Sequence, residues 1–171
     1  MEKNEGFFPS FGTGPLEVRM YTEYFCGPCQ DMKPHVEPVL RELIEKKKIR
    51  LTFIDIPMPR SVPYIHYFLY AINENNSMEH AFKVRGVLFE VAGKGGNAED
   101  IRQAFKEQDI GYAPYNLNTF LARFNAFLQA DSVHRTPTAV ICDGDTTKSY
   151  SGQANILAAL EAINSDLPAQ P

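Results

Sequence analysis

Residues 25–29, Phe25-Cys26-Gly27-Pro28-Cys29, constrain this chain more than any other stretch. They join two runs of different period. Residues 16–25 carry Val18, Met20 and several aromatics, a composition that suits a buried strand. Beyond the cysteines, Met32, Val36, Val39, Leu40, Leu43 and Ile44 recur at helical spacing. Pro28 falls in the first turn of that helix, where its missing N–H is no loss. Pro34 and Pro38 lie inside the pattern and are expected to kink it. The cysteine pair therefore sits where a strand gives way to a helix start.

Three chemistries are open to such a pair. A structural zinc site calls for a second Cys-x-x-Cys or two suitably spaced histidines. His35, His66, His80 and His134 show no such spacing, and Cys142 is single. An inert buried pair is the bland alternative, and stapling explains little, because a bridge over two residues removes little chain entropy. Redox chemistry is the reading that position favours. A helix start offers unpaired N–H groups and the positive end of the backbone dipole, which favour a thiolate on Cys26. Cys29 lies one turn deeper, within bridging reach. Cys26 then attacks a disulfide and Cys29 resolves the mixed disulfide.

The rest of the chain fits one globular unit with an insertion. With 171 residues, 44% of them hydrophobic, it buries a core without covalent staples. Residues 48–56 alternate as a second strand, so strand, helix and strand make a right-handed parallel crossover. From 61 to 132 the pattern is helical, with apolar faces at Tyr64–Ile72, Ala81–Val91, Ile101–Phe105 and Phe120–Leu128. Strand character returns at 138–142, Asp143-Gly144 signals a hairpin, and 153–164 close the chain as a helix. The expected division is a flexible arm at 1–15, a core at 16–60 and 133–171, and an inserted helical subdomain at 61–132. The net charge of −4 offers no basic stripe for nucleic acid. No apolar run is long enough to span a membrane, and the first 15 residues lack the apolar core of a signal peptide. The sequence as written is thus expected in the cytoplasm, or in an extracytoplasmic, periplasmic space if an export signal has been removed.

Cys26-Gly27-Pro28-Cys29 after a strand, Pro34 five residues beyond, and Thr136-Pro137-Thr138 opening a later strand resemble the thioredoxin superfamily. The resemblance runs from about residue 16 to 164 and implies an α/β thioredoxin fold, a central mixed sheet flanked by helices. It implies a cis peptide bond before Pro137, which faces the dithiol, with Thr136 and Pro137 contacting substrate. The long helical insertion resembles that of Dsb-type (DsbA-like) thiol-disulfide oxidoreductases. Three departures stand out. Phe25 replaces the usual tryptophan, Met20 replaces a buried acid, and Gly27-Pro28 belongs to reducing thioredoxins where Dsb-type oxidants carry Pro-His. Glu23 is a candidate substitute base, although a regular strand turns it to the opposite face, as a solvated acid.

The resemblance implies thiol-disulfide exchange on protein or peptide substrates, as a disulfide reductase or isomerase. It implies no metal and no organic cofactor, an unidentified redox partner, and a monomer. Two alternatives stay open: a glutathione-dependent isomerase or transferase, against which Cys29 argues, and a non-catalytic binding module. Cys142 reads as a small hydrophobic filler. His35 reads as a surface residue of the helix, and His134 as a candidate border of a substrate groove.

Overall fold

The structure is a computed structural model and describes residues 9–165. In chain order the strands are β1 (Ser10–Phe11), β2 (Leu16–Thr22), β3 (Ile49–Asp55), β4 (Thr138–Asp143) and β5 (Thr146–Ser151). The helices are α1 (Gly27–Glu45), α2 (Val62–Glu74), α3 (Met78–Gly93), α4 (Ala98–Glu107), α5 (Asn118–Ala130) and α6 (Gln153–Asn164). The strands form one mixed sheet in the order β1-β3-β2-β4-β5. β2 and β3 are parallel and joined through α1, while β4 runs antiparallel to β2 and turns back as β5. This is the thioredoxin fold with a helical insertion between β3 and β4.

β2 lies at the centre because it satisfies two neighbours and buries both faces. Met20 stands between Phe53 of β3 and Ala139 of β4 in register. Strand alternation sends Val18, Met20 and Thr22 to one face and Arg19 and Tyr21 to the other. On the Met20 face, Met32, Val36 and Leu40 of α1 meet Phe82 and Phe89 of α3 around a common cavity. On the Tyr21 face, Tyr21 Oη donates to the carboxylate of Asp131, just past α5. The Arg19 guanidinium binds the same carboxylate at 2.7 and 2.9 Å. The insertion thus grips both faces of the central strand.

Two details differ from the sequence reading. β2 ends at Thr22, so the chain turns before the cysteines instead of running extended to Phe25. Of the stretch read as a flexible arm, residues 1–8 lie outside the described residues, while Ser10 and Phe11 pair antiparallel with Thr52 and Leu51. Pro34 and Pro38 lie inside α1, as the sequence pattern places them. Both prolines are exposed. The apolar stripe of α1, from Cys29 through Leu43, holds the helix to the sheet and offsets the hydrogen bonds they forfeit.

Candidate active site

The site grows from the turn that follows β2. The Cys26 N–H donates to the Glu23 carbonyl at 3.2 Å, closing the turn. The Glu23 carboxylate accepts from the Phe25 N–H at 3.0 Å and from the hydroxyl of Ser61. Gln30 Nε2 donates to the Tyr24 carbonyl at 2.8 Å and ties the turn to the helix below. Glu23 is therefore a half-buried brace and not a solvated acid. The alternation argument fails for it because the strand has already ended.

Cys26 is the N-cap of α1, with Pro28 in the first turn. Its sulfur accepts from the Cys29 N–H at 3.2 Å and lies 3.7 Å from the Thr136 carbonyl oxygen. A sulfur in a cap position takes up one of the N–H groups that a helix start leaves unpaired. Cys26 is half-buried, whereas Cys29 is 1% exposed. Both are free thiols. Burial, and then the hydrogen bond with Cys26, pushes the Cys29 thiol up to about 12, against smaller downward pulls from the Glu23 backbone and Thr136. One accessible sulfur and one buried, proton-retaining sulfur is an asymmetric pair.

The remaining expected site residues gather around it. The Thr136–Pro137 bond is cis, Thr136 is half-buried and Pro137 buried. Gly27 and Pro28 are exposed, and a Cβ at Gly27 would meet nothing within 4 Å. Phe25 packs edge-on to Tyr64 at 5.2 Å, and the Arg60 guanidinium lies 4.0 Å from its ring centroid. Phe25 thus joins the turn to the start of α2. His35 and His134 are exposed. Cys142 pairs in register with Glu17, at the end of β2 remote from the thiols, and accepts a long contact of 3.7 Å from Thr147. Among the described residues, no group of three His, Cys, Asp or Glu is arranged to hold a metal.

Beneath the thiols lies a cluster that sequence reasoning missed. Arg85 of α3 donates to both oxygens of Asp55, at 2.8 and 3.0 Å, and both side chains are buried. Thr22 donates to the same carboxylate at 2.9 Å and Tyr24 at 3.1 Å. The Arg85 guanidinium is also stacked 4.0 Å over Phe53. Burial disfavours its charge, but Asp55 and Tyr24 outweigh that and raise its pKa. The signal was present: Arg85 sits on the apolar face of Ala81, Leu88 and Ala92, and Asp55 follows the apolar Leu51, Phe53 and Ile54 of its strand. An isolated opposite pair on two buried faces calls for a partner.

A thiol pair capping the helix after the central strand, beside a cis X-Pro loop, defines a protein of the thioredoxin-fold class. The chain belongs to the thioredoxin family itself: the family model described as Thioredoxin matches residues 13–162. Solved structures of the DsbA type share its layout. Wolbachia pipientis alpha-DsbA1 is 13% identical, with a TM-score of 0.74, covering 95% of this chain and 91% of that one. Chlamydia trachomatis DsbA is 15% identical, with a TM-score of 0.64 and coverage of 96% and 95%. A periplasmic thioredoxin-like protein from Salmonella enterica serovar Typhimurium is 17% identical, with a TM-score of 0.65 and coverage of 93% and 88%. No curated protein matches the sequence.

Proposed function

We propose that the protein is a thiol-disulfide oxidoreductase acting on protein or peptide substrates, and that it works as a reductase or isomerase. Cys26 is the nucleophile, Cys29 the resolving thiol, and Thr136-Pro137 the substrate-contacting loop. Electrons pass through the dithiol itself, with no metal or organic cofactor, and return through a redox partner. The observation that carries the reading is the asymmetry of the pair: Cys26 is accessible and bonded to the Cys29 N–H, with Cys29 behind it at 1% exposure. Only the outer sulfur can meet a substrate, and only the inner one is placed to displace it. Cys29 also weighs against a glutathione-dependent transferase, which needs no resolving thiol.

The direction of flow rests on what surrounds Cys26. Gly27 and Pro28 bring no side-chain donor, and Pro28 lacks even a backbone N–H. A strong oxidant needs its thiolate stabilised far more than the Cys29 amide alone provides. The expected reduction potential is roughly −200 to −270 mV, on a scale where thioredoxin lies at about −270 mV and DsbA at about −120 mV. Equilibration in glutathione buffers with alkylation gel shifts measures it, and a value above about −150 mV would refute the reductase assignment. Exchange itself is tested by Cys29→Ser, which should accumulate mixed disulfides through Cys26. A variant that traps no thiol partner would leave a binding module as the better description.

A further inference from the structure

The reaction proposed above stalls unless Cys29 loses its proton, and Cys29 is the sulfur whose burial most opposes that. A cavity of about 40 Å³, enough for a water molecule, adjoins it. Its walls include Cys29, Thr22, Met20, Arg85, Lys33 and Glu37. Met20 is apolar and offers no base. Asp55 is not part of the wall, and it is already saturated: its two oxygens accept four hydrogen bonds, from Thr22, Tyr24 and twice from Arg85. A carboxylate with four lone-pair sites filled has no place for the Cys29 proton. Of the buried ion pair, it is the cation that faces the cavity. Lys33 also lines it, with Nζ 3.4 Å from where a Cβ on Gly86 would stand, next in sequence to Arg85.

We propose that Arg85 and Lys33 form a cationic wall that favours the Cys29 thiolate in the resolving step, so that a fixed positive field does the work here and no buried acid accepts the proton. The proposal rests on the thiol-disulfide reading of Cys26 and Cys29. In that step the Cys29 thiol gives its proton to water in the cavity. The resulting thiolate attacks Cys26 Sγ, a Cys26–Cys29 bond forms, and the bond between Cys26 and the substrate sulfur breaks. The substrate leaves as a thiolate carrying the electron pair, so the dithiol is oxidised and the substrate disulfide reduced. The titratable and charged groups around Cys29 are Glu23 and Tyr24 of the turn, Cys26, Lys33 and Glu37 of α1, Asp55 of β3 and Arg85 of α3. The Glu23 carboxylate is already engaged by the Phe25 N–H and the Ser61 hydroxyl. Both cations are paired, Arg85 with Asp55 and Lys33 with Glu37, at 2.8 Å each. Asp55 stands outside the wall and Glu37 is shared with Arg41 at 2.9 Å, so the charged groups fronting the cavity, Arg85, Lys33 and Glu37, are net positive. Arg85 also interacts electrostatically with Cys29. Arg85 and Lys33 are positioning residues, since they act through Cys29 and touch no substrate.

The test separates the two chemical steps. Reduced protein in a Cys142→Ser background is mixed with dithiobis(nitrobenzoate) in a stopped-flow instrument. The first coloured thiolate released reports attack by Cys26, and the second reports resolution by Cys29. Arg85→Gln combined with Asp55→Asn removes both buried charges together and keeps hydrogen-bonding groups in place. It should slow the second release about tenfold, displacing its pH profile upward by about one unit, and leave the first release unchanged. Lys33→Gln, at a half-exposed position whose ion pair is with Glu37 within the same helix, should slow the second release about threefold, again without touching the first. The Lys33 variant decides the matter if the double variant does not fold. A second release unaltered in Lys33→Gln, or first and second releases falling together, would overturn the cationic wall. Absence of any first release from the parent protein would instead overturn the proposed function.

Discussion

Cys26 and Cys29 are three residues apart and live in different solvents. Cys26 is half-buried beside the Thr136 carbonyl, whereas Cys29 is sealed beneath the turn. Alkylation near neutral pH should therefore modify Cys26 first, and mass-mapped labelling against time measures the order. Cys142 reacting before Cys26 would contradict the assignment of the accessible thiol. The raised Cys29 pKa also bears on stability. In the unfolded chain this thiol ionises near 9, whereas the folded protein holds it protonated up to about 12. Above pH 9 the unfolded state thus binds fewer protons than the native state, and stability falls as pH rises towards 12. Tyr24, pushed well above its ordinary 10 by burial and then by Asp55, adds to the loss in the same direction. Urea midpoints of the reduced protein should fall between about pH 8 and pH 10.5, with Cys29→Ala losing less over the same range.

At the scale of elements, the sequence was most legible where one face is buried and one solvated. α1 shows its core stripe through Met32, Val36, Leu40 and Leu43, and the Asp143-Gly144 hairpin shows its turn, with Gly144 at φ 56°. Cys26, Cys29, Thr136 and Pro137 were readable because the chemistry needs those types at those places. Arg85 and Asp55 were not, because their meaning depends on α3 and β3 meeting. The chain separates them by 30 residues, and no local period pairs them. Glu23 was misread for a related reason: its side chain faces inward only because β2 stops at Thr22. The Arg85–Asp55 pair makes α3 part of the support for the site. Removing one partner leaves a buried, uncompensated charge, which costs about 3–5 kcal/mol. Arg85→Met alone should lower stability by that amount, read from urea unfolding. Arg85→Met with Asp55→Asn should recover part of it, since the charge is then removed from both sides.

Across the whole molecule, the sheet has two unlike margins. β5 forms one of them, with Thr146, Thr147, Lys148 and Ser149 all exposed, and its polar, charged surface discourages lateral growth. At the other margin, among the described residues, the two-residue β1 is all that covers the outer edge of β3 in the sheet, and Leu51, Phe53 and Ile54 of that strand are buried. Ser10 and Phe11 pair with it, and the Phe53 N–H donates to the Pro9 carbonyl at 3.1 Å. Gly14 crosses so close that a Cβ there would meet the Ile49 nitrogen at 2.1 Å. This short stretch thus acts as a guard against intermolecular strand addition, because an uncovered apolar margin is a template for another chain. A protein shortened to begin at residue 15 should keep its helical signal yet grow light-scattering oligomers on storage. A shortened chain that stays monodisperse would show that β3 needs no such guard.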